Sequence, residues 1–134
     1  MAELPQSIRK AIEDTNFWHV ATVNPDGSPH STAVWVDMRG DRILVNTAKG
    51  RKKHRNLERD QRVAMSWHTH DGGAYHSAGI QGRAVESYDG DRAERDIDDL
   101  AQKYIGQSPY PWRSPGEQRI SYLIEPTHSF EMGE

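Results

Sequence analysis

The sequence predicts a mainly β fold with α insertions, a six-stranded antiparallel split β-barrel formed by one domain over residues 1–134. Two observations lead there. Short apolar runs of strand length alternate with tight, Gly-containing turns, the pattern of an antiparallel meander. Helical spacing occurs at the N-terminus and in two later segments, so helices enter as a lead and two insertions between strands.

Residues 7–16 read as a short helix, with Pro5 at its entry and Leu4, Ile8, Ala11 and Ile12 as an apolar stripe. Residues 17–23 are strand-like and end in Asn24-Pro25-Asp26-Gly27, whose Pro-Asp-Gly order signals a turn. The next strand is expected over 30–37, and Arg39-Gly40-Asp41 turns it into a third over 42–47. A basic segment with helix-forming character follows, then a fourth strand over 63–67. Residues 68–73 form a polar, Gly-rich loop. Residues 76–86 read as a long strand interrupted by Gly79 and Gly82, as expected where a sheet bends or a backbone is closely approached. Asp89 or Asp91 caps a helix over 92–104, with Ala93, Ile97, Leu100, Ala101 and Tyr104 on one face. Residues 105–116 are a loop containing Pro109-Tyr110-Pro111-Trp112-Arg113, and the last strand, 120–124, stops before Pro126.

The composition narrows the function classes. Charged residues make up 28% of the chain, hydrophobics 34%, and mean hydropathy is −0.91. No apolar run approaches the length needed to cross a bilayer, and the N-terminus lacks the hydrophobic stretch of a secretory signal, so a cytoplasmic protein is expected. With no cysteine there are no disulfides, thiolate metal sites or cysteine nucleophiles. So polar a small domain is a candidate for completing its core or its site with a second copy of itself.

Charge is concentrated in one place. Lys49, Arg51, Lys52, Lys53, Arg55, Arg59 and Arg62 are seven of 17 Lys and Arg, in a chain whose net charge is −3. The segment follows a strand and a glycine corner, Asn46-Thr47-Ala48-Lys49-Gly50. A strand that turns through glycine into a helix presents unpartnered backbone N–H groups and the positive end of the helix dipole. Arginine adds a planar fork that matches phosphate oxygens. Arg51, Lys53 and Arg55 therefore form a candidate site for an anionic head group, most simply the phosphate of a small molecule; the alternative is a solvated basic helix face anchored by Leu57. A nucleic-acid surface is disfavoured by the net negative charge and by the lack of a basic patch elsewhere.

Two motifs then bear on family. Ala21-Thr22-Val23-x-x-Asp26-Gly27-x-Pro29-x-Ser31 is followed, after a strand, by Thr47-x-x-x-Arg51-x-Lys53-x-x-Asn56-Leu57-x-x-Asp60-x-Arg62-Val63-Ala64. Together they resemble the pyridoxamine-5'-phosphate-oxidase-like split-barrel flavoproteins, and most closely the branch that uses the deazaflavin coenzyme F420. The resemblance covers nearly the whole chain. It implies a homodimer with each cofactor site at the subunit interface, and an oxidoreductase that moves a hydride to or from a small organic acceptor. The alternative is an FMN-binding oxidase, reductase or flavin carrier of the same fold. By position it implies that Arg51 and Lys53 bind the cofactor phosphate, with Asn46, Thr47, Ala48 and Asn56 lining the cofactor. His30, Ser31 and Thr32, with residues 33–35, would run beneath its ring. The chain departs from the pattern at Gln61, where the family commonly has proline, and in the enlarged 68–73 loop.

Other candidates are secondary. His68-x-His70-Asp71 with His76 has the residue types of a metal cluster, but no second cluster completes it, so no metal is expected. Trp18, Trp35 and Trp67 lie in strands and read as core or interface. Trp112, with Arg113, lies on a loop and reads as a substrate-side cover for a planar ligand. No nucleophile–base pair is recognisable, which fits a reaction led by a cofactor. Ser31 or His30 is then the candidate proton donor.

Overall fold

The computed structural model describes residues 3–70 and 75–133. In chain order it contains α1 (Gln6–Glu13), β1 (Trp18–Val23), β2 (Pro29–Val34), β3 (Val36–Arg39), β4 (Arg42–Ala48), α2 (Lys52–Arg59), β5 (Arg62–Thr69), β6 (His76–Asp89), α3 (Gly90–Ile105) and β7 (Arg119–Gly133). The strands form one antiparallel sheet in the order β2-β1-β5-β6-β7-β4-β3.

The sheet thus has seven strands where six were expected. The predicted 30–37 strand breaks at Trp35. Its first half pairs with β1 and its second with β4, so β2 and β3 lie at opposite edges of the sheet. The ladder is open rather than closed, and Trp35 alone joins its two outermost strands along the chain.

The other differences have local causes. α1 ends at Glu13 instead of residue 16, and the Ala11 carbonyl accepts from Trp18 Nε1 (3.2 Å) and Asn16 Nδ2 (2.9 Å). β7 runs through Pro126 to Gly133. Proline is tolerated because the register shifts there: Gln81 pairs with His128 and Gly82 with Pro126, leaving Thr127 as an extra residue. Gly82 allows this close approach, since a Cβ would lie 2.7 Å from the Glu125 carbonyl oxygen.

The strand alternation divides the core in two. Ile43 and Val45 point into the main cluster inside the curled sheet, with Ile8, Trp18, Val20, Leu57, Met65 and Ile124. Leu44, one step out of phase, packs with Ile97, Leu100 and Leu123 beneath α3. Asn46 shares the Leu44 face, which directs its side chain toward α3. α3 is also tied to the N-terminal half: Lys103 Nζ donates to the Ile12 and Val36 carbonyls (2.8 and 2.7 Å), and Tyr104 Oη donates to Asn16 O (2.6 Å).

Candidate functional site

A cleft of about 430 Å³ opens between β2, the start of α2, α3 and the loop that follows α3. Aromatic rings form one side. Trp35 stacks on Tyr104 with centroids 5.4 Å apart, Tyr110 meets Trp35 edge-on at 6.0 Å, and Trp112 lies 6.1 Å from Trp35. Ile97 and Leu100 of α3 add aliphatic surface. Trp112 remains 60% exposed, so it stands at the rim and not in the floor.

Cations line the cleft as well, and one of them, Arg119, lies with its guanidinium 5.4 Å from the Tyr110 ring centroid. β4 is followed by Lys49-Gly50, where the Gly50 φ of 90° is open to glycine and lets the chain turn sharply into α2. Arg51 occupies the N-cap position in extended conformation and supplies no side-chain cap, so the first amides of α2 have no side chain closing them off. Arg51, Lys52 and Lys53 line the cleft there, and Arg119, the first residue of β7, lines it too.

Arg119 is 4% exposed and firmly held. Its Nε donates to Asn46 Oδ1 (2.9 Å) and its Nη1 to Glu117 Oε2 (3.1 Å), while Glu117 Oε1 accepts from Arg51 Nη2 (3.3 Å). Asn46 in turn donates to Ala93 O (3.0 Å) and Ser121 Oγ (2.9 Å). Lys53 has no acceptor among the described residues. Burial, then the neighbouring Arg51 and Arg119 charges, push its ammonium pKa down to about 8.

One further polar atom belongs to a lining residue. Thr32 lines the cleft, and its Oγ1 is the only buried side-chain nitrogen or oxygen without a hydrogen-bond partner among the described residues. An orphan hydroxyl and an unpaired ammonium on residues of one cleft lining are groups that a polar, anionic ligand would complete.

Of the residues singled out by sequence, the cleft gathers His30, Thr32, Asn46, Thr47, Arg51, Lys53 and Trp112, together with residues 33–35. Ser31, Ala48, Arg55, Asn56 and Arg113 do not line it. Ser31 is on the exposed phase of β2, opposite His30 and Thr32. Ala48 is buried. Asn56 is 1% exposed and donates to Thr22 Oγ1 and Asn24 Oδ1, both at 3.0 Å, pinning α2 to β1 and its turn. Arg113 binds back onto α3 through Glu94 Oε1 (3.0 Å) and Asp98 Oδ1 (2.9 Å), which sets the position of the Trp112 loop. Of the histidine cluster, Asp71 lies outside the described residues, and His76 contacts Glu131 Oε2 at 3.0 Å.

Sequence reasoning missed Arg119, Phe17, Ile97 and Leu100 as lining residues. The signal for Arg119 was a charged residue directly before an apolar strand, where burial requires a partner.

The profile of the pyridoxamine 5'-phosphate oxidase family matches residues 4–129. No curated protein matches the chain. Among solved structures, one described as an F420 reductase is 25% identical, with 95% of this chain and 98% of that chain covered and a TM-score of 0.79. A conserved hypothetical protein of Mycobacterium tuberculosis is 20% identical, covering 98% of this chain and 87% of its own, at TM-score 0.75. A FAD-binding protein of Mesorhizobium loti is 15% identical, covering 98% and 96%, at TM-score 0.67. The last two share the fold. The strand order, the cationic corner at Gly50 and a family match over nearly the full length agree: the chain belongs to the pyridoxamine 5'-phosphate oxidase family.

Proposed function

We propose that this protein is an oxidoreductase that uses coenzyme F420 to transfer a hydride to or from a small organic acceptor. The observation that carries the reading is the pairing, in one cleft, of an aromatic wall with three converging cations and the unpartnered Thr32 hydroxyl. These residues fit a planar ring system bearing a phosphate. Arg51, Lys53 and Arg119 would hold the phosphate, and Thr32 Oγ1 would meet a polar atom of the ligand. Trp35, Tyr110 and Trp112 would shield the ring from water.

When bound, the deazaflavin supplies a two-electron hydride carrier. The protein's own contributions are position, exclusion of water and a proton. His30 borders the cleft and is the side chain placed to exchange a proton with the acceptor, whereas Ser31 faces away. Lys52, exposed, adds a fourth positive charge to the cleft lining, which suits the anionic tail of F420 better than FMN. The active unit is proposed to be a homodimer in which the partner subunit completes the site.

Titration of the apoprotein with F420 and with FMN, followed by ligand fluorescence, tests this directly. Micromolar or tighter F420 binding with weak FMN binding is expected, and Arg51→Ala with Lys53→Ala should weaken it at least a hundredfold, since charged hydrogen bonds contribute about 1.5–3 kcal/mol each. Preference for FMN would move the protein to the flavin enzymes or carriers of the same fold. Retained affinity in the double variant would remove both residues from the site.

A further inference from the structure

The chain has five lysines, and one of them differs from the rest. Lys10 is exposed and pairs with Asp14 at 3.4 Å, and Lys49 pairs with Asp89. Lys103 is half-buried and burial lowers its pKa, yet three acceptors take its three N–H groups: the Ile12 and Val36 carbonyls, and Asp37 Oδ1 at 3.4 Å. Lys52 is exposed to solvent. Lys53 is half-buried, shares the cleft lining with Arg51 and Arg119, and has no acceptor among the described residues.

We propose that Lys53 is a self-acylation site, at which an acyl phosphate bound through its phosphate to Arg51 and Arg119 transfers its acyl group to the lysine Nζ. The inference concerns the lysine and the two arginines, and it holds whichever cofactor the cleft binds. Its consequence rests on the cofactor reading above: an acylated Lys53 carries no charge, so the modified cleft should lose affinity for a phosphate-bearing ligand.

Nucleophilicity comes from the surroundings of the amine. Burial, then the two guanidinium charges, lower its pKa to about 8, so about a tenth is neutral at pH 7, against less than about a thousandth of an ordinary lysine. A less basic nucleophile attacks more weakly, by about tenfold over this fall on the slope known for thiolates, which leaves a net advantage of about tenfold or more. Recruitment comes from the arginines. Arg119 commits Nε to Asn46 and Nη1 to Glu117, and Arg51 commits Nη2 to Glu117, which leaves N–H groups on both for phosphate oxygens. The step balances without a further reactant. The neutral amine attacks the carbonyl carbon and the C–O bond to phosphate breaks. The amine loses one proton to the departing phosphate, so an amide and hydrogen phosphate remain. The same guanidinium charges favour the negative charge that develops on the leaving phosphate.

The probe is acetyl phosphate, incubated with the full-length wild type. Digestion at acidic residues and tandem mass spectrometry then place the acetyl group, which separates the adjacent Lys52 and Lys53. At pH 7, Lys53 should be acetylated about tenfold or more faster than Lys10, Lys52 or Lys103. Its rate should rise with pH and level off above about 8, whereas that of Lys10 keeps climbing. Inorganic phosphate should slow labelling of Lys53 and leave Lys10 unchanged, compared with potassium chloride at equal ionic strength. Lys53→Arg, which keeps the charge and removes the nucleophile, should lose the label without passing it to Lys52. Equal labelling of Lys52 and Lys53 in the wild type, a Lys53 rate that keeps climbing with that of Lys10, or no protection by phosphate overturns the proposal. F420 and FMN titrations of the acetylated protein keep the two readings apart. Fast labelling with unchanged affinity for both ligands removes Lys53 from the cofactor site and leaves the acylation standing. Slow labelling with F420 binding as expected sinks the acylation alone.

Discussion

Replacing Lys53 with Met should make the protein more stable while it loses its ligand. Lys53 is half-buried beside two guanidiniums, with no acceptor among the described residues, and its pKa falls from the ordinary 10.5 to about 8. At about 1.4 kcal/mol per tenfold in the proton equilibrium, that fall corresponds to about 3 kcal/mol of unfavourable placement. Solvent reaches part of the side chain and screens it, so a gain of about 1–2 kcal/mol is the working figure for Lys53→Met at neutral pH. The pH dependence has a definite sign. Below pH 8 Lys53 is charged in both folded and unfolded chains, and the penalty is present in full. Between pH 8 and 10.5 the folded chain gives up the proton while the unfolded chain keeps it, so wild-type stability rises with pH relative to the variant. The advantage of Lys53→Met should therefore shrink across that window. Urea unfolding of both proteins at pH 7 and pH 9.5, read by tryptophan fluorescence, measures it. A variant less stable than wild type at pH 7, or an advantage that grows with pH, would refute the reasoning.

Arg119→Ala should be costly for the opposite reason. It leaves Asn46 Oδ1 and one Glu117 oxygen buried without donors, so a loss of about 3 kcal/mol in urea unfolding is expected, together with loss of ligand binding. Asn56→Ala should cost about 2 kcal/mol by freeing α2 from β1 yet leave ligand affinity within a few-fold, because Asn56 faces Thr22 and not the cleft. A large affinity loss at native stability would return Asn56 to the binding site. Two glycines of β6 should behave differently. A Cβ at Gly79 meets only the exposed Phe130 ring, which can turn away, so Gly79→Ala should cost below about 1 kcal/mol. A Cβ at Gly82 meets the β7 backbone, and Gly82→Ala should cost about 2–3 kcal/mol in the same assay.

Local chemistry made the cationic corner legible in the sequence. Gly50, the basic run after it and the flanking apolar strands are contiguous, and each signals on its own. The Pro-Asp-Gly turn is likewise local: Ser28 N donates to Asp26 Oδ1 at 2.9 Å, and Gly27 has a φ of 88°. What stayed hidden depends on partners distant in sequence. Nothing within 30–37 says that its two halves pair with different neighbours, because β1 and β4 are both apolar and both antiparallel to it. Arg119 and Glu117 come to the corner only when β7 pairs with β4, which sets Ala48 opposite Arg119. Trp112 was recognised as a loop aromatic, but the role of Arg113 as the tether of that loop required Glu94 and Asp98 on α3. Pro126 stops a strand in most contexts, and only the extra residue at Thr127 lets β7 pass through it.

The sheet order also bears on how the chain reaches this state. β1–β2 and β3–β4 are local hairpins joined through Trp35, whereas β5, β6 and β7 lie between them, β5 against β1 and β7 against β4. The early half of the chain thus makes two jaws, and the late half must seat between them before the ladder is continuous. Those seating contacts span many tens of residues, and closing such loops is what slows β-rich folding. His30, Thr32, Arg51 and Lys53 belong to the early half, and Leu100, Tyr110 and Arg119 to the late one. On refolding, ligand capture is therefore the last signal to recover, and it reports that the two halves have met.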